Sequence, residues 1–435
     1  MVRIQDHLAK ISWTATDKGL YLVYGFVNIL QNNALPLQEL GLYTLCNALQ
    51  TFIFAVSDGF ILQSLIIFGA DKEVRGSINR FAIVWHCVLV LGASLLVFLL
   101  QMPFAWLLNE PRLTTVAAYL PLFCLLGLPR TLCLKYLIRD VQARSIFIVN
   151  SIWIGTMTAL TAWMLATERL VSFEAMLTIA ASGMAASSFA ALWITRSQLT
   201  FKSQRHLSSR ELFRAGAYQG TASLLGNLVR QLDVTVVQYF FGAATVGMYQ
   251  SAKTLFRFFD EGFSAITSLV YPATMRLLHE NRQTELTAML SKMVSFSLAA
   301  TLVVLLLTEL NVAEYVISRL LSPKYAAAVG YFRLLAFAAP AMPFVALLPV
   351  MLGLGEMRRL LMFIVVAVLV GLGSLVVVGL LRIPAFAPLG FVIYTATLGT
   401  LVFGFVRSRL NFPLRLLWRA VPDTLDFLGF IKKKQ

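Results

Sequence analysis

The stretch from Leu360 to Leu381 reads LLMFIVVAVLVGLGSLVVVGLL and contains no Asp, Glu, Lys or Arg. A bilayer core of about 30 Å is crossed by a helix of about 20 apolar residues, so this stretch predicts a transmembrane helix. Further stretches without these four residue types cover 81–109, 145–167, 175–195, 234–252, 334–355 and 383–406.

The whole chain shares this character. Of its 435 residues, 58% are apolar and 13% are charged, whereas soluble globular proteins are about a quarter charged. This composition excludes a single soluble enzyme, a disordered chain and a collagen-like chain. We predict an all-α polytopic membrane protein with twelve transmembrane helices, over 17–36, 40–69, 80–104, 113–138, 145–167, 173–195, 212–240, 244–271, 292–312, 326–353, 360–381 and 386–408.

The basic residues predict the orientation, because cytoplasmic loops of membrane proteins are enriched in Lys and Arg. With a cytoplasmic N-terminus, 26 basic residues flank the helices on the inside and five on the outside. Both termini are therefore expected in the cytoplasm. The net charge of +15 then follows from topology, and no nucleic-acid partner is expected. The five outer residues are Arg112, Arg169, Arg319, Lys324 and Arg382.

The two ends of the chain are expected to lie on the membrane surface. The first seventeen residues mix apolar and charged positions at the spacing of a short interfacial helix. No cleavable signal peptide is expected. A basic amphipathic tail over 412–435 is expected to anchor in the same way or to bind a partner. The four cysteines, Cys46, Cys87, Cys124 and Cys133, fall inside predicted helices without metal-ligand spacing and are expected to be packing residues.

Two halves of the chain resemble each other. The segment Leu40–Tyr43 (Leu-Gly-Leu-Tyr) recurs as Val246–Tyr249 (Val-Gly-Met-Tyr), 206 positions later. Asp58-Gly59-Phe60 likewise recurs as Glu261-Gly262-Phe263. We predict an N-terminal lobe over 1–204 and a C-terminal lobe over 205–411, related by an axis along the membrane normal. A transported molecule is expected to sit between such lobes.

Sequence motifs for catalysis are missing. The chain has no Asp-x-Asp, Gly-x-Ser-x-Gly, His-Glu-x-x-His or phosphate-binding Gly-x-x-x-x-Gly-Lys-Ser/Thr pattern. The predicted loops are too short to hold a catalytic domain. We therefore expect a protein that is not an enzyme and that needs no cofactor.

Several charged residues fall within predicted helices, where a charge costs at least about 2.5–3.5 kcal/mol and so indicates a function. Cations near a cavity would suit an anionic substrate. The alternative is internal pairing, for which Arg230–Asp233 and Arg257–Glu261 have helical spacing; Asp58 could bind a coupling cation or cap a helix broken at Gly59. The candidate substrate-binding cations are Arg130, Arg230, Lys253, Arg257 and Arg333, and the candidate ion-coupling acids are Asp58, Asp233, Asp260 and Glu261.

The region from Arg230 to Ala252 resembles the seventh and eighth helices of Wzx-type polysaccharide flippases. The resemblance rests on Arg-Gln-Leu-Asp at 230–233, Tyr-Phe-Phe-Gly at 239–242 and Val-Gly-Met-Tyr at 246–249. Tyr271-Pro272 and the segment 321–336, which begins Leu-Ser-Pro-Lys-Tyr, fit the same family. These flippases belong to the superfamily that also contains MATE drug exporters and lipid II flippases.

The resemblance implies a flippase for undecaprenyl-pyrophosphate-linked oligosaccharides in the bacterial cytoplasmic (inner) membrane. Its implied partners are the lipid-linked oligosaccharide, membrane lipids, and polysaccharide polymerase or assembly proteins. It also implies alternating access and coupling to an ion gradient or potential. The alternative is a MATE-like, ion-coupled exporter of small cationic drugs, which would favour an acidic cavity.

Overall fold

The structure, a computed structural model, describes residues 4–69, 71, 73–203, 205, 207–311, 314–315, 319, 322–323 and 326–410. All regular secondary structure in these residues is helical, which confirms the predicted fold class. The predicted tail over 412–435 lies outside the described residues. The helices are α1 (Ile4–Ala34), α2 (Leu37–Ser57), a π-helical turn (Asp58–Leu62), α3 (Gln63–Ile67), α4 (Arg75–Leu99), α5 (Gln101–Leu107), α6 (Leu113–Arg139), α7 (Ala143–Ala166), α8 (Phe173–Thr195), α9 (Ser209–His279), α10 (Gln283–Glu309), α11 (Ala328–Ala336), a 3-10 turn (Ala339–Ala341), α12 (Met342–Val345), α13 (Leu348–Gly353), α14 (Met357–Leu380), a 3-10 turn (Pro384–Phe386) and α15 (Leu389–Leu410).

Among the described residues, nine helical segments are long and apolar enough to cross a membrane. The remaining three predicted helices correspond to α1 and to the two arms of α9. Gly242 interrupts α9 with φ 79° and ψ 172°, a conformation that glycine adopts at little cost. The orientation of the termini stays a prediction. The nine segments are Leu37–Ile66, Arg75–Leu99, Leu113–Arg139, Ala143–Ala166, Phe173–Thr195, Gln283–Glu309, Ala328–Gly353, Met357–Leu380 and Pro384–Leu410.

Local sequence explains where the helices differ from expectation. The expected single helix over 326–353 is a series of short helices, because Pro340, Pro343 and Pro349 lack the amide hydrogen that a continuous helix requires. The expected interfacial helix at the N-terminus is part of α1, which is continuous from Ile4.

The described chain forms two compact units, Met1–Thr254 and Leu255–Gln435. In the first unit, α6 packs against α2, α4 and α8, and α1 packs against α7. In the second unit, α14 packs against α15 and α10 packs against α11 and α12. The predicted lobe boundary near residue 204 stays a prediction.

Candidate functional site

Asp233 is the centre of a buried polar cluster in the first unit. Its carboxylate Oδ2 accepts hydrogen bonds from the Tyr249 hydroxyl at 2.7 Å and from Lys253 Nζ at 2.8 Å. Asp233 is 2% exposed and the Lys253 side chain is 20% exposed. The ammonium group also lies 5.2 Å from the centre of the Tyr249 ring. Lys253 is therefore paired internally rather than presented as an isolated cation.

The break at Gly242 creates this cluster. Tyr249 and Lys253 are four residues apart and share a face of the second arm of α9, whereas Asp233 lies on the first arm. The break lets one arm return alongside the other, so that groups 16 and 20 residues apart meet. The Arg230–Asp233 pair, which helical spacing left open as an alternative, stays a prediction, because the Arg230 side chain lies outside the described residues.

A second cluster surrounds Arg130 in the first unit. One terminal nitrogen of Arg130 donates to Asn150 Oδ1 at 2.7 Å, and Asn150 Nδ2 donates to Asp17 Oδ1 at 2.8 Å. The guanidinium carbon lies 4.5 Å from the centre of the Trp153 ring, a stacking distance for a cation and an aromatic ring. Tyr24 packs 5.0 Å from the same ring.

The sequence analysis included Arg130 but not its surroundings. Asp17 lies on α1, Arg130 on α6, and Asn150 and Trp153 lie one turn apart on α7. An Asn and a Trp with helical spacing inside an otherwise apolar stretch are the signal that could have identified this face. Aromatic faces beside Arg, Asn and Asp side chains provide stacking surfaces and directional hydrogen bonds. This combination is suited to binding a polar ring such as a sugar.

Arg333 lies in the second unit and is paired with the segment that precedes α11. Its guanidinium bonds to Glu314 Oε2 at 2.6 Å and to the side-chain oxygen of Asn311. The Arg333 and Glu314 side chains are 35% and 54% exposed. Arg333 therefore stabilises a connecting segment within the second unit.

Arg257 differs from the other candidate cations. It lies on the second arm of α9 and is partly buried. Among the described residues, no hydrogen bond or ion pair reaches its guanidinium, and the expected pair with Glu261 is not formed. Asp260 and Glu261 follow on the same arm, are partly buried, and each takes part in at least one polar, ionic or aromatic interaction.

Asp58 begins the π-helical turn between α2 and α3. Its carboxylate lies 2.7 Å from Nζ of Lys135, one of the 26 basic residues expected on the cytoplasmic side. The preceding Ser57 hydroxyl lies 2.5 Å from Nδ1 of the fully buried His86, whose Nε2 lies 2.9 Å from the Thr131 hydroxyl. A π-helical turn of this kind is frequent at functional sites.

The described residues contain no group of three or more His, Cys, Asp or Glu side chains that could hold a metal ion. The cysteines Cys46, Cys124 and Cys133 are buried, Cys87 is half-buried, and all four are free thiols. These positions agree with the packing role that the sequence predicts.

Comparison with known proteins identifies the family of this chain. A family described as polysaccharide biosynthesis protein matches residues 8–278, more than half of the chain. The chain belongs to this polysaccharide biosynthesis protein family. A search of curated proteins gives no match.

Solved structures give the fold. One is a multidrug resistance transporter of the MATE family, within the MOP superfamily, in an inward-facing conformation. It has a TM-score of 0.74 at 14% identity, and the match covers 89% of this chain and 94% of the transporter chain. The lipid II flippase MurJ, in an inward closed conformation, has a TM-score of 0.74 at 10% identity. The match covers 98% of this chain and 93% of the MurJ chain. A MOP superfamily transporter from Pyrococcus furiosus has a TM-score of 0.65 at 14% identity. The match covers 93% of this chain and 95% of the transporter chain.

Family and fold together confirm the resemblance that the motifs around Arg230 to Ala252 indicated. This member of the polysaccharide biosynthesis protein family is a multi-pass membrane protein with the fold of MOP superfamily transporters. The predicted roles of the individual charged residues stay predictions.

Proposed function

We propose that this protein moves a lipid-linked oligosaccharide from the inner to the outer leaflet of the bacterial cytoplasmic membrane. The substrate class is an oligosaccharide joined to a polyprenyl lipid, undecaprenol, through a pyrophosphate. The lipid tail stays in the bilayer while the head group passes between the lobes over 1–204 and 205–411. Rocking of one lobe against the other gives alternating access, with the N- and C-termini in the cytoplasm.

The guanidinium of Arg257, which has no partner among the residues that the structure describes, is the observation that supports this substrate most directly. Lys253, Arg130 and Arg333 each have a protein partner. Arg257 has none among the described residues, although a charge at membrane depth is costly without a partner or water. A pyrophosphate supplies acceptor oxygens for charge-assisted hydrogen bonds with a guanidinium. Arg257 therefore serves as the main anion contact.

The remaining candidate residues take secondary roles. Arg130, with the aromatic rings around it, contacts the sugar portion, whereas Lys253, Arg230 and Arg333 tune the positive potential of the path. An ion gradient drives the cycle through one or more of the acids Asp58, Asp233, Asp260 and Glu261. A polysaccharide polymerase or assembly protein receives the oligosaccharide at the outer leaflet.

The test is leaflet-specific detection of lipid-linked glycan in cells that lack the protein. Loss of the protein is expected to cause glycan to accumulate on the inner leaflet, and wild-type protein to reverse this. Arg257→Ala is expected to restore at most about a tenth of wild-type transfer, because loss of a charge-assisted contact costs about 1.5–3 kcal/mol. Arg257→Lys keeps the charge and is expected to restore transfer in part.

Arg282→Ala is the matched control. Arg282 is half exposed and pairs with Glu280 and Glu285 at the end of α9, so its loss should leave transfer unchanged. All variants are compared at equal amounts of membrane-inserted protein. Unchanged glycan distribution in cells that lack the protein would overturn the proposed substrate. Full transfer by Arg257→Ala would reassign Arg257 to a structural role.

A second candidate function is ion-coupled export of small cationic molecules. The Lys253–Asp233 pair favours it, because neutralising a cation reduces the positive charge offered to a substrate. Altered sensitivity to cationic drugs, together with an unchanged glycan distribution, would support this function instead.

A further inference from the structure

Two chain corners lie 206 positions apart, the same offset as the sequence repeat. Pro36 separates α1 from α2 and has an extended conformation, with φ −59° and ψ 151°. Gly242 separates the two arms of α9 and is also extended in ψ, at 172°. The repeat therefore extends from the Gly41 and Gly247 motifs back to the corners that precede them.

The segments after these corners touch each other, and the contact is reciprocal. A Cβ atom built on Gly41 would lie 2.0 Å from the carbonyl oxygen of Ala243, and one built on Gly247 would lie 2.3 Å from the carbonyl oxygen of Leu37. Leu37 and Ala243 are themselves 206 positions apart. Each glycine thus contacts the repeat equivalent of the residue that the other glycine contacts, as a pseudo-twofold relation between the segments requires.

The crossing is a contact of backbone against backbone. Small residues allow helices in membranes to approach in this way, and the attraction comes from van der Waals packing and weak Cα–H···O contacts. A long hydrogen bond from Asn32 Nδ2 to Thr254 Oγ1, at 3.5 Å, adds to it. Interactions of this kind are individually weak and can break and re-form without exposing a charge.

Stronger interactions stabilise the chain on each side of the crossing. At the first corner, Arg112 makes two hydrogen bonds to Glu39, at 2.6 and 3.0 Å, and Glu39 also accepts from the backbone amide of Phe173. At the second corner, Lys253 pairs with Asp233 and so links the two arms of α9 on either side of Gly242. Neither ion pair spans the glycine crossing, so separation at the glycines leaves both pairs intact.

We propose that the crossing of Gly41 and Gly247 is a gate that closes the outer end of the path between the two predicted lobes and opens once in each transport cycle. The gate rests on the proposed function only in requiring a cycle, and it holds for any cargo. The glycines are needed because any side chain there would hold the two segments apart.

The test is a distance measurement between the two lobes by double electron–electron resonance. Nitroxide labels are attached to Arg169→Cys and Ala385→Cys, which replace exposed loop residues on the predicted outer side, after the four native cysteines are replaced by serine. Gly41→Ala and Gly247→Ala are each expected to increase the population with the longer distance several-fold. Gly262→Ala is the matched control, because it lies on α9 with nothing within 4 Å of its added Cβ, and its distribution should equal that of the parent.

The outcomes separate a gate from a fixed joint. Equal distributions in all variants, or a lower unfolding temperature in Gly41→Ala without a longer distance, would overturn the gate. If the glycine variants do not fold, Asn32→Ala loosens the same crossing more gently and should shift the distribution in the same direction. The measurement needs no substrate, so the gate can be confirmed even if the leaflet assay refutes the glycan as cargo.

Discussion

Replacing Lys253 by methionine removes one partner of a buried ion pair and leaves the shape of the side chain similar. Asp233 is 2% exposed, and among the described residues its carboxylate would keep the Tyr249 hydroxyl and the adjacent Val234 amide as donors. Removing one partner of a buried pair typically costs about 3–5 kcal/mol, because an uncompensated charge remains. The Lys253 side chain is 20% exposed, so the lower end of this range is expected.

The assay is thermal unfolding of the purified protein in detergent, followed by loss of the monodisperse peak in size-exclusion chromatography. A loss of about 3 kcal/mol should lower the unfolding temperature by roughly 3 °C in a chain of this size. Combining Lys253→Met with Asp233→Asn removes both charges, and the double variant should be more stable than Lys253→Met alone. Arg282→Met is the control, because exposed pairs contribute at most about 1 kcal/mol.

Two results would refute this reasoning. An effect of Lys253→Met as small as that of Arg282→Met would mean that water already solvates Asp233. A double variant less stable than either single variant would mean that the lysine stem, and not its charge, stabilises the cluster.

The remaining predictions concern Arg130 and Asp140. Arg130→Lys keeps the charge but loses the planar group that stacks on Trp153 while it donates a hydrogen bond to Asn150. We expect the free energy of unfolding to fall by about 1–2 kcal/mol, measured by the same unfolding assay. An unchanged unfolding temperature would contradict the stacking. Hydrogen bonds from Arg139 hold the pKa of Asp140 below its ordinary value, so this residue stabilises the fold above about pH 4 and loses that contribution as the pH falls. Asp140→Asn should therefore be less stable at neutral pH and should flatten the acid side of the profile of unfolding temperature against pH, and a profile that keeps the wild-type slope would argue against this role.

The long-range pairing of charged groups was only partly predictable. Helical spacing suggested Arg230–Asp233 and Arg257–Glu261, because residues three or four apart share a helix face. The structure pairs Asp233 with Lys253 and Asp58 with Lys135, across 20 and 77 positions. These contacts depend on where Gly242 breaks α9 and on how α2 packs against α6, and neither packing is encoded in local spacing.

Continuous apolar stretches of membrane length establish an all-helical membrane protein, because a helix satisfies its backbone hydrogen bonds in lipid within a single segment. Short motifs indicate the repeat and the family, since each motif consists of residues that are adjacent in the chain. Packing in three dimensions was needed to show that Lys253 and Lys135 pair with Asp233 and Asp58, that Asn150, Trp153 and Asp17 surround Arg130, and that Gly41 and Gly247 cross. Such partners are set by distance in space, and helices separated by more than a hundred residues come together through packing that no local pattern specifies.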